Sequence, residues 1–343
     1  LKSEQAESGS WSKEDHPALT ALPMVAFLNE PTGKYRGKET PEFIKKAAGF
    51  LRSHAKPDGA NYNLGLSNYN TSVSMMALLY LEDPKDKELI DRARAFVVGQ
   101  QASDMAKSST DGGIGYGKTG VSPKRGHPDL DNTLISLEAL RLYRSMRPDT
   151  EVPQEKDLNW QAAIDFISRC QNLPTHNKEP WASGDPKNIG GFIYYPGYSN
   201  ANNGQQETLP DGRKAWRSYG TMTYAGMLSL LYADVKKEDP RVMAAVDWLK
   251  RNYTLDENPG MGKQGLFYYY QLMAKGLSAA GLDKLETADG KKVDWERELA
   301  LRLINTQAGD GHWVNDVGRW METDPMLVTS YCVIALERIY KQL

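Results

Sequence analysis

Gln5-Ala6-Glu7-Ser8-Gly9-Ser10-Trp11 and Gln307-Ala308-Gly309-Asp310-Gly311-His312-Trp313 spell the same pattern, Gln-x-x-x-Gly-x-Trp, at the two ends of a 343-residue chain. Such a match signals an internal repeat, which has to be settled before a fold is assigned. Looser versions lie between: Asp58-Gly59-Ala60-Asn61-Tyr62, Asp111-Gly112-Gly113-Ile114-Gly115-Tyr116, Gly190-Gly191-Phe192-Ile193-Tyr194 and Gly265-Leu266-Phe267-Tyr268.

An apolar segment with helical spacing follows each anchor, over 18–28, 70–81, 132–143, 221–232, 268–279 and 326–340. Five of these carry a Thr six residues before a small residue: Thr20/Ala26, Thr71/Ala77, Thr133/Ala139, Thr223/Ser229 and Thr329/Ala335. The fifth copy departs, with Tyr270 before Gly276. The segments are apolar nearly all round, as buried helices should be. The segments before the anchors, 44–53, 89–101, 160–170, 241–252 and 295–306, carry one apolar stripe among charges, which suits helices with one wet face.

Alternating buried and half-exposed helices over six copies predict an all-α fold, an (α/α)6 toroid of six inner and six outer helices. It forms one domain over 1–343. An open solenoid is the alternative, but solenoids carry atypical polar caps at their ends, and here the end copies have the best-formed anchors. Leu1-Lys2-Ser3-Glu4-Gln5 matches the end of an outer helix, so the first outer helix is expected to be incomplete at the N-terminus. Insertions over 103–125 and 172–218, rich in Gly, Asn and Tyr, are too long for turns and are expected to build up one rim.

The net charge of −2, without a long basic run, gives no electrostatic case for a nucleic-acid partner. Cys170 and Cys332 have no zinc-type spacing. No apolar run approaches the length that spans a bilayer. No signal peptide is visible from Leu1 onward; the compartment stays open, and export after removal of an upstream signal is compatible with this start.

One copy carries chemistry that the others lack. Its inner helix opens His127-Pro128-Asp129-Leu130-Asp131-Asn132-Thr133. Asp, Asn and Thr at a helix start are common caps, and Pro128 suits a first turn. The other reading is catalytic: two nearby carboxyls share a proton because both cannot ionise cheaply. His127 stands where it could pair with either. Aromatic candidates near the same rim are Tyr69, Tyr219, Tyr224, Tyr268, Tyr269, Trp313 and Trp320. Their π faces suit an apolar, cation-stabilising cavity, and they equally suit a plain core.

The Gln-x-x-x-Gly-x-Trp anchors resemble the QW repeats of squalene and oxidosqualene cyclases, which recur more loosely in protein prenyltransferase β subunits. Asp129-Leu130-Asp131-Asn132-Thr133 resembles the Asp-x-Asp-Asp-Thr motif of class II terpene cyclases, with Asn132 in place of the last Asp. The resemblance implies protonation-initiated cyclisation of a polyprenyl substrate, an isomerase or mutase reaction. Asp131 would be the proton donor, tuned by Asp129 and His127. It implies a hydrophobic isoprenoid or other small-molecule ligand, peripheral membrane contact, and no cofactor. Lys124 and Arg125 are candidates to meet a diphosphate. Squalene cyclases bound their cavity with two helical domains and this chain has one, so a second subunit closing the cavity is a candidate partner.

The prenyltransferase resemblance implies zinc, but Thr133 and Val328 stand where its Cys and His ligands would be, so no metal is expected. Two other functions compete: a non-catalytic toroid binding a lipid or a protein, and a carbohydrate-active lyase or hydrolase. The latter would use rim residues such as Tyr219, Arg319, Trp320, Glu322 and Asp324.

Overall fold

The computed structural model describes the chain except for residues 38–39, 104–107, 118–126, 149–151 and 342–343. Lys124 and Arg125 lie outside the described residues. Eleven α-helices are present among the described residues: α1 (Ala18–Leu28), α2 (Glu42–Ser53), α3 (Ser67–Leu81), α4 (Lys87–Val98), α5 (Leu130–Met146), α6 (Trp160–Arg169), α7 (Gly220–Tyr232), α8 (Pro240–Arg251), α9 (Leu266–Ala280), α10 (Trp295–Thr306) and α11 (Pro325–Tyr340). The odd-numbered helices match the six apolar segments, and the even-numbered ones match the five amphipathic segments.

The inner helices pack in sequence, α1 on α3, α3 on α5, α5 on α7, α7 on α9 and α9 on α11, and α11 returns to pack on α1. The ring is therefore closed, as the end anchors imply. Around it, α2 packs on α1, α4 on α3 and α5, α6 and α8 on α7, and α10 on α11. The all-α expectation holds apart from two small antiparallel hairpins, β1 (Glu207–Thr208) with β2 (Lys214–Ala215), and β3 (Leu285–Glu286) with β4 (Lys292–Val293).

The anchors have a common mechanical role. Gln5 Nε2 donates to Gly9 O in its own turn and to Phe43 O in α2. Gln101 does the same to Gly112 O and Asn159 O before α6, and Gln171 to Gly190 O and Arg241 O in α8. Each glutamine thus ties its turn to the start of the next outer helix. In the middle copies the insertions separate it from its glycine, which hides the pattern in the sequence. The glycines let the turn approach that helix. Gly112 and Gly190 have φ of +84° and +90°, and a Cβ on them would lie 2.0 Å from Ala162 O and 2.1 Å from Ala244 O.

The five threonines form the second half of the joint. Thr20, Thr71, Thr133, Thr223 and Thr329 accept at Oγ1 from the backbone N–H of Trp11, Asn61, Ile114, Phe192 and Trp313, at 2.7–3.2 Å. Each inner helix so marked receives the anchor residue of its own copy and satisfies a buried donor. The fifth anchor is a correction. Gly265 is the N-cap of α9 rather than an equivalent turn, which is consistent with that copy having Tyr270 where the others have Thr.

Trp11 and Trp313 occupy the same register. The indole N–H of Trp313 donates to Leu303 O in α10 and that of Trp11 to Leu1 O, both at 2.8 Å. Lys2–Glu4 forms a short 3-10 turn beside Leu1. Cys170 and Cys332 are buried and free. Among the described residues, no helix is long and apolar enough to cross a membrane.

Candidate active site

A cavity of about 760 Å³ opens where the N-terminal ends of the six inner helices converge. Its wall includes Ala18 and Leu19 of α1, Tyr69 and Asn70 of α3, Asp131 of α5, Thr221 and Met222 of α7, Tyr268 of α9, and Leu327 and Tyr331 of α11. The 172–218 insertion adds Tyr194, Tyr195, Tyr198 and Asn200, and the 103–125 insertion adds Tyr116. Both insertions therefore contribute to one rim, as expected.

The acidic motif divides into two roles. Asp129 is the extended N-cap of α5. Its Oδ1 accepts the Asn132 N–H and its Oδ2 accepts Asn132 Nδ2, each at 2.8 Å. Its own N–H donates to Ile114 O (3.1 Å), and the next N–H, that of Leu130, to Tyr194 O (2.9 Å). The helix start is thereby fixed between the two insertions. Asn132, the departure from the terpene-cyclase motif, is thus a donor to Asp129. Asp131 is not a cap. It reaches into the cavity, and its Oδ1 accepts the Tyr268 hydroxyl from α9 at 2.6 Å.

Both carboxyls are pushed above the usual range. Burial comes first for Asp129, followed by the charge of Asp131, and together they raise it to about 8. Burial raises Asp131 too, against the Tyr268 hydrogen bond, which favours its anion. The two carboxyls therefore titrate as a coupled pair, each holding a proton more firmly than a surface acid does. Two hydrogen bonds from Asn132 favour the anion on Asp129 and one from Tyr268 favours it on Asp131, while the charge of Asp131 favours the proton on Asp129.

Tyr268 is itself held. Its backbone N–H donates to Glu322 Oε1 (2.8 Å), and Glu322 Oε2 accepts from Asn315 Nδ2 (2.6 Å). Glu322 is completely buried, and burial pushes its carboxyl up. Tyr268 also packs on Tyr331, with centroids 5.3 Å apart.

Asp131, Asp129, His127, Tyr69, Tyr219, Tyr268 and Trp320 all line the cavity. Tyr224, Tyr269 and Trp313 do not. Tyr224 and Tyr269 pack on each other within the ring wall, and the Tyr269 hydroxyl donates to Thr254 O. The Trp313 ring is taken up by its anchor. His127 stands at the rim rather than between the carboxyls: its ring lies 4.2 Å from that of Tyr195, and its Nδ1 is 3.2 Å from Pro128 O. The sequence reading missed Tyr116, Tyr194, Tyr195, Tyr198 and Tyr331 as lining residues. The aromatic run Phe192-Ile193-Tyr194-Tyr195-Pro196-Gly197-Tyr198 within an insertion was the available signal.

Among the described residues, no cluster of three His, Cys, Asp or Glu could hold a metal ion. Thr133, at a prenyltransferase zinc position, bonds Asp129 O and Ile114 N. Val328, at another, is wholly buried.

A closed ring of two-helix repeats, with a cavity at the N-termini of its inner helices, is an α/α toroid. Solved structures agree. The type II terpene cyclase MstE from Scytonema in its apo form is similar at a TM-score of 0.55 with 13% identity, covering 95% of this chain and 89% of that one. A variant of that cyclase in complex with geranylgeranyl dihydroxybenzoate matches at 0.55 with 15% identity, covering 99% and 94%. An alpha-amylase from Clostridium perfringens matches at 0.56 with 11% identity, covering 98% and 95%. At these identities the likeness is one of fold. No protein-family profile matches the chain, and no curated protein does.

Proposed function

We propose that this protein is a class II terpene-cyclase-like enzyme that starts the cyclisation of a polyprenyl chain by protonating it. The observation that carries the reading is the division within the acidic motif: Asp129 is committed as a hydrogen-bonded cap, and Asp131 is left on the cavity wall. Asp131 gives its proton to a terminal alkene carbon, forming a C–H bond and leaving a tertiary cation. Neighbouring double bonds close on that cation in turn. The last cation loses a proton to water and Asp131 regains one from solvent, so the net reaction is an isomerisation. The Tyr268 hydroxyl stabilises the Asp131 carboxylate left behind, and the faces of Tyr69, Tyr194, Tyr219 and Trp320 offer π density to the cations.

Terpene cyclases are among the proteins that share this fold, one of them holding geranylgeranyl dihydroxybenzoate, and an aromatic-lined cavity suits a ligand of that kind. The test is incubation with squalene, farnesyl diphosphate and geranylgeranyl diphosphate, with products read by mass spectrometry, for wild type and Asp131→Asn. Cyclised product from the wild type, lost in the variant, is expected. Ligand binding without any product would favour a non-catalytic binding ring.

A carbohydrate-active enzyme is the second reading, favoured by the cavity-lining aromatics Tyr195 and Tyr198, which stack with centroids 4.8 Å apart. Against it, Glu322 is bonded to the α9 backbone and to Asn315 and is poorly disposed to act on a sugar.

A further inference from the structure

The cavity mouth holds a charge that protonation does not use. Arg319 lies on the rim segment that leads to Glu322. Its Nη1 donates to Gln264 Oε1 (2.5 Å) and its Nη2 to Asn200 Oδ1 (3.2 Å), and its guanidinium sits 4.3 Å from the centroid of Trp320. These partners are two neutral amides and a π face. Among the described residues no carboxylate pairs with Arg319, and no other Lys or Arg lines this cavity. A guanidinium has five N–H donors in a planar fork. Neutral acceptors orient it while leaving donors and the whole positive charge for another group.

The backbone beneath it is strained to hold this arrangement. Trp320 and Met321 are consecutive non-glycine residues at φ +55° and +65°, a left-handed conformation that gathers at functional sites. It sets the Trp320 ring over Gly265, where a Cβ would lie 3.1 Å from the ring. Tyr219 links this corner to the acid pair. Its hydroxyl lies close enough to Asn200, Arg319, Asp131 and Asp129 for each of them to bear on its ionisation.

We propose that Arg319, with Asn200 and Trp320, docks the single carboxylate head group of an isoprenoid acid whose apolar tail enters the cavity toward Asp131. The fate of the tail rests on the cyclase reading; the recognition of the head does not. One planar fork matches one carboxylate. A diphosphate brings more charge than one guanidinium balances; among the described residues Arg319 is the one basic side chain on the wall, and Lys124 and Arg125 lie outside them. Glu322, three residues on from Arg319, directs its carboxylate to Tyr268 N and Asn315.

The test is calorimetric binding to the full chain carrying Asp131→Asn, so that turnover does not interfere. The probes are geranylgeranoic acid, its methyl ester and geranylgeranyl diphosphate. The acid is expected to bind about tenfold tighter than the ester, with the difference shrinking at high salt. Adding Arg319→Gln should erase the difference and leave ester binding in place, and Arg319→Lys should restore part of it. Equal binding of acid and ester overturns the proposal. So does an equal loss for both in Arg319→Gln, which would make Arg319 a clamp for the rim, and so does a preference for the diphosphate. Cyclisation of squalene by the wild type without acid preference removes the head-group site and keeps the cyclase. Acid-selective binding by a chain that makes no product does the reverse.

Discussion

Asp129 and Asp131 stand two positions apart on one helix start and meet different surroundings. The sequence leaves capping and catalysis as rivals; in the structure Asp129 caps and Asp131 faces the cavity. Asp131→Asn should lower turnover by about a hundred- to ten-thousand-fold, the usual scale for a general acid, with circular dichroism unchanged. Tyr268→Phe tests the pair more finely. The Tyr268 hydroxyl favours the Asp131 anion, so its removal should make Asp131 a weaker acid that holds its proton to higher pH. The rate should fall about tenfold while the alkaline limb of the pH profile moves up. A limb that moves down would count against the pairing. The motif was legible because its composition is unlike the other copies. The cavity lining was less so. Tyr268 and Tyr269 are neighbours in sequence, but one residue turns a helix by about 100°, and only Tyr268 meets the cavity. Tyr194, Tyr195 and Tyr198 depend on the path of an insertion, which residue spacing does not encode.

At the scale of the element, the first, third, fourth and sixth copies share a joint made of a glutamine, a glycine and a threonine. Inner-helix boundaries were readable to within a few residues because burial leaves an apolar imprint. Gln101 and Gln171 escaped the reading because insertions part them from Gly112 and Gly190. The joint predicts an order of damage. Gly190→Ala places a Cβ 2.1 Å from Ala244 O on a backbone at φ +90°, and should cost about 3 kcal/mol or more. Gly311→Ala has a similar φ of +92°, but its nearest neighbour is Gln307 Nε2 at 3.8 Å, so only the backbone term of about 1 kcal/mol remains. Thr71→Val strands the buried Asn61 N–H and should cost about 1–3 kcal/mol. Urea unfolding of the three variants measures the order; equal losses for the two glycines would contradict the close approach at Gly190.

Across the whole molecule, the ring encloses carboxyls at both ends of its axis, and that shapes stability against pH. At the N-terminal end burial raises Asp129 to about 8 and also raises Asp131 and Glu322. Near the C-terminal ends of the inner helices Glu337 is raised to about 8, again chiefly by burial and against nearby Lys341 and Arg338, and its Oε2 has no hydrogen-bond partner among the described residues. A small cavity of about 30 Å³ adjoins it, bordered by the Glu138–Lys275 ion pair at 2.8 Å. Groups raised on folding bind more protons in the native state than when unfolded. For Asp129 and Glu337 that contribution is full below the unfolded values near 4 and is lost as pH rises through about 8. Surface acids oppose this trend at the other end: Asp239, lowered by Arg241, and Glu30, lowered by Thr32, contribute above about pH 4 and lose that contribution below it. Stability should therefore peak between about pH 4.5 and 6 and decline toward pH 8.5. Glu337→Gln removes one titrating group remote from the acid pair, so the fall between pH 5 and 8.5 should shrink by about 2 kcal/mol, while the pH profile of turnover, set by Asp129 and Asp131, stays in place. Urea midpoints at the two pH values decide the matter: an unchanged fall in Glu337→Gln would mean that the carboxyl titrates in the native ring much as it does unfolded.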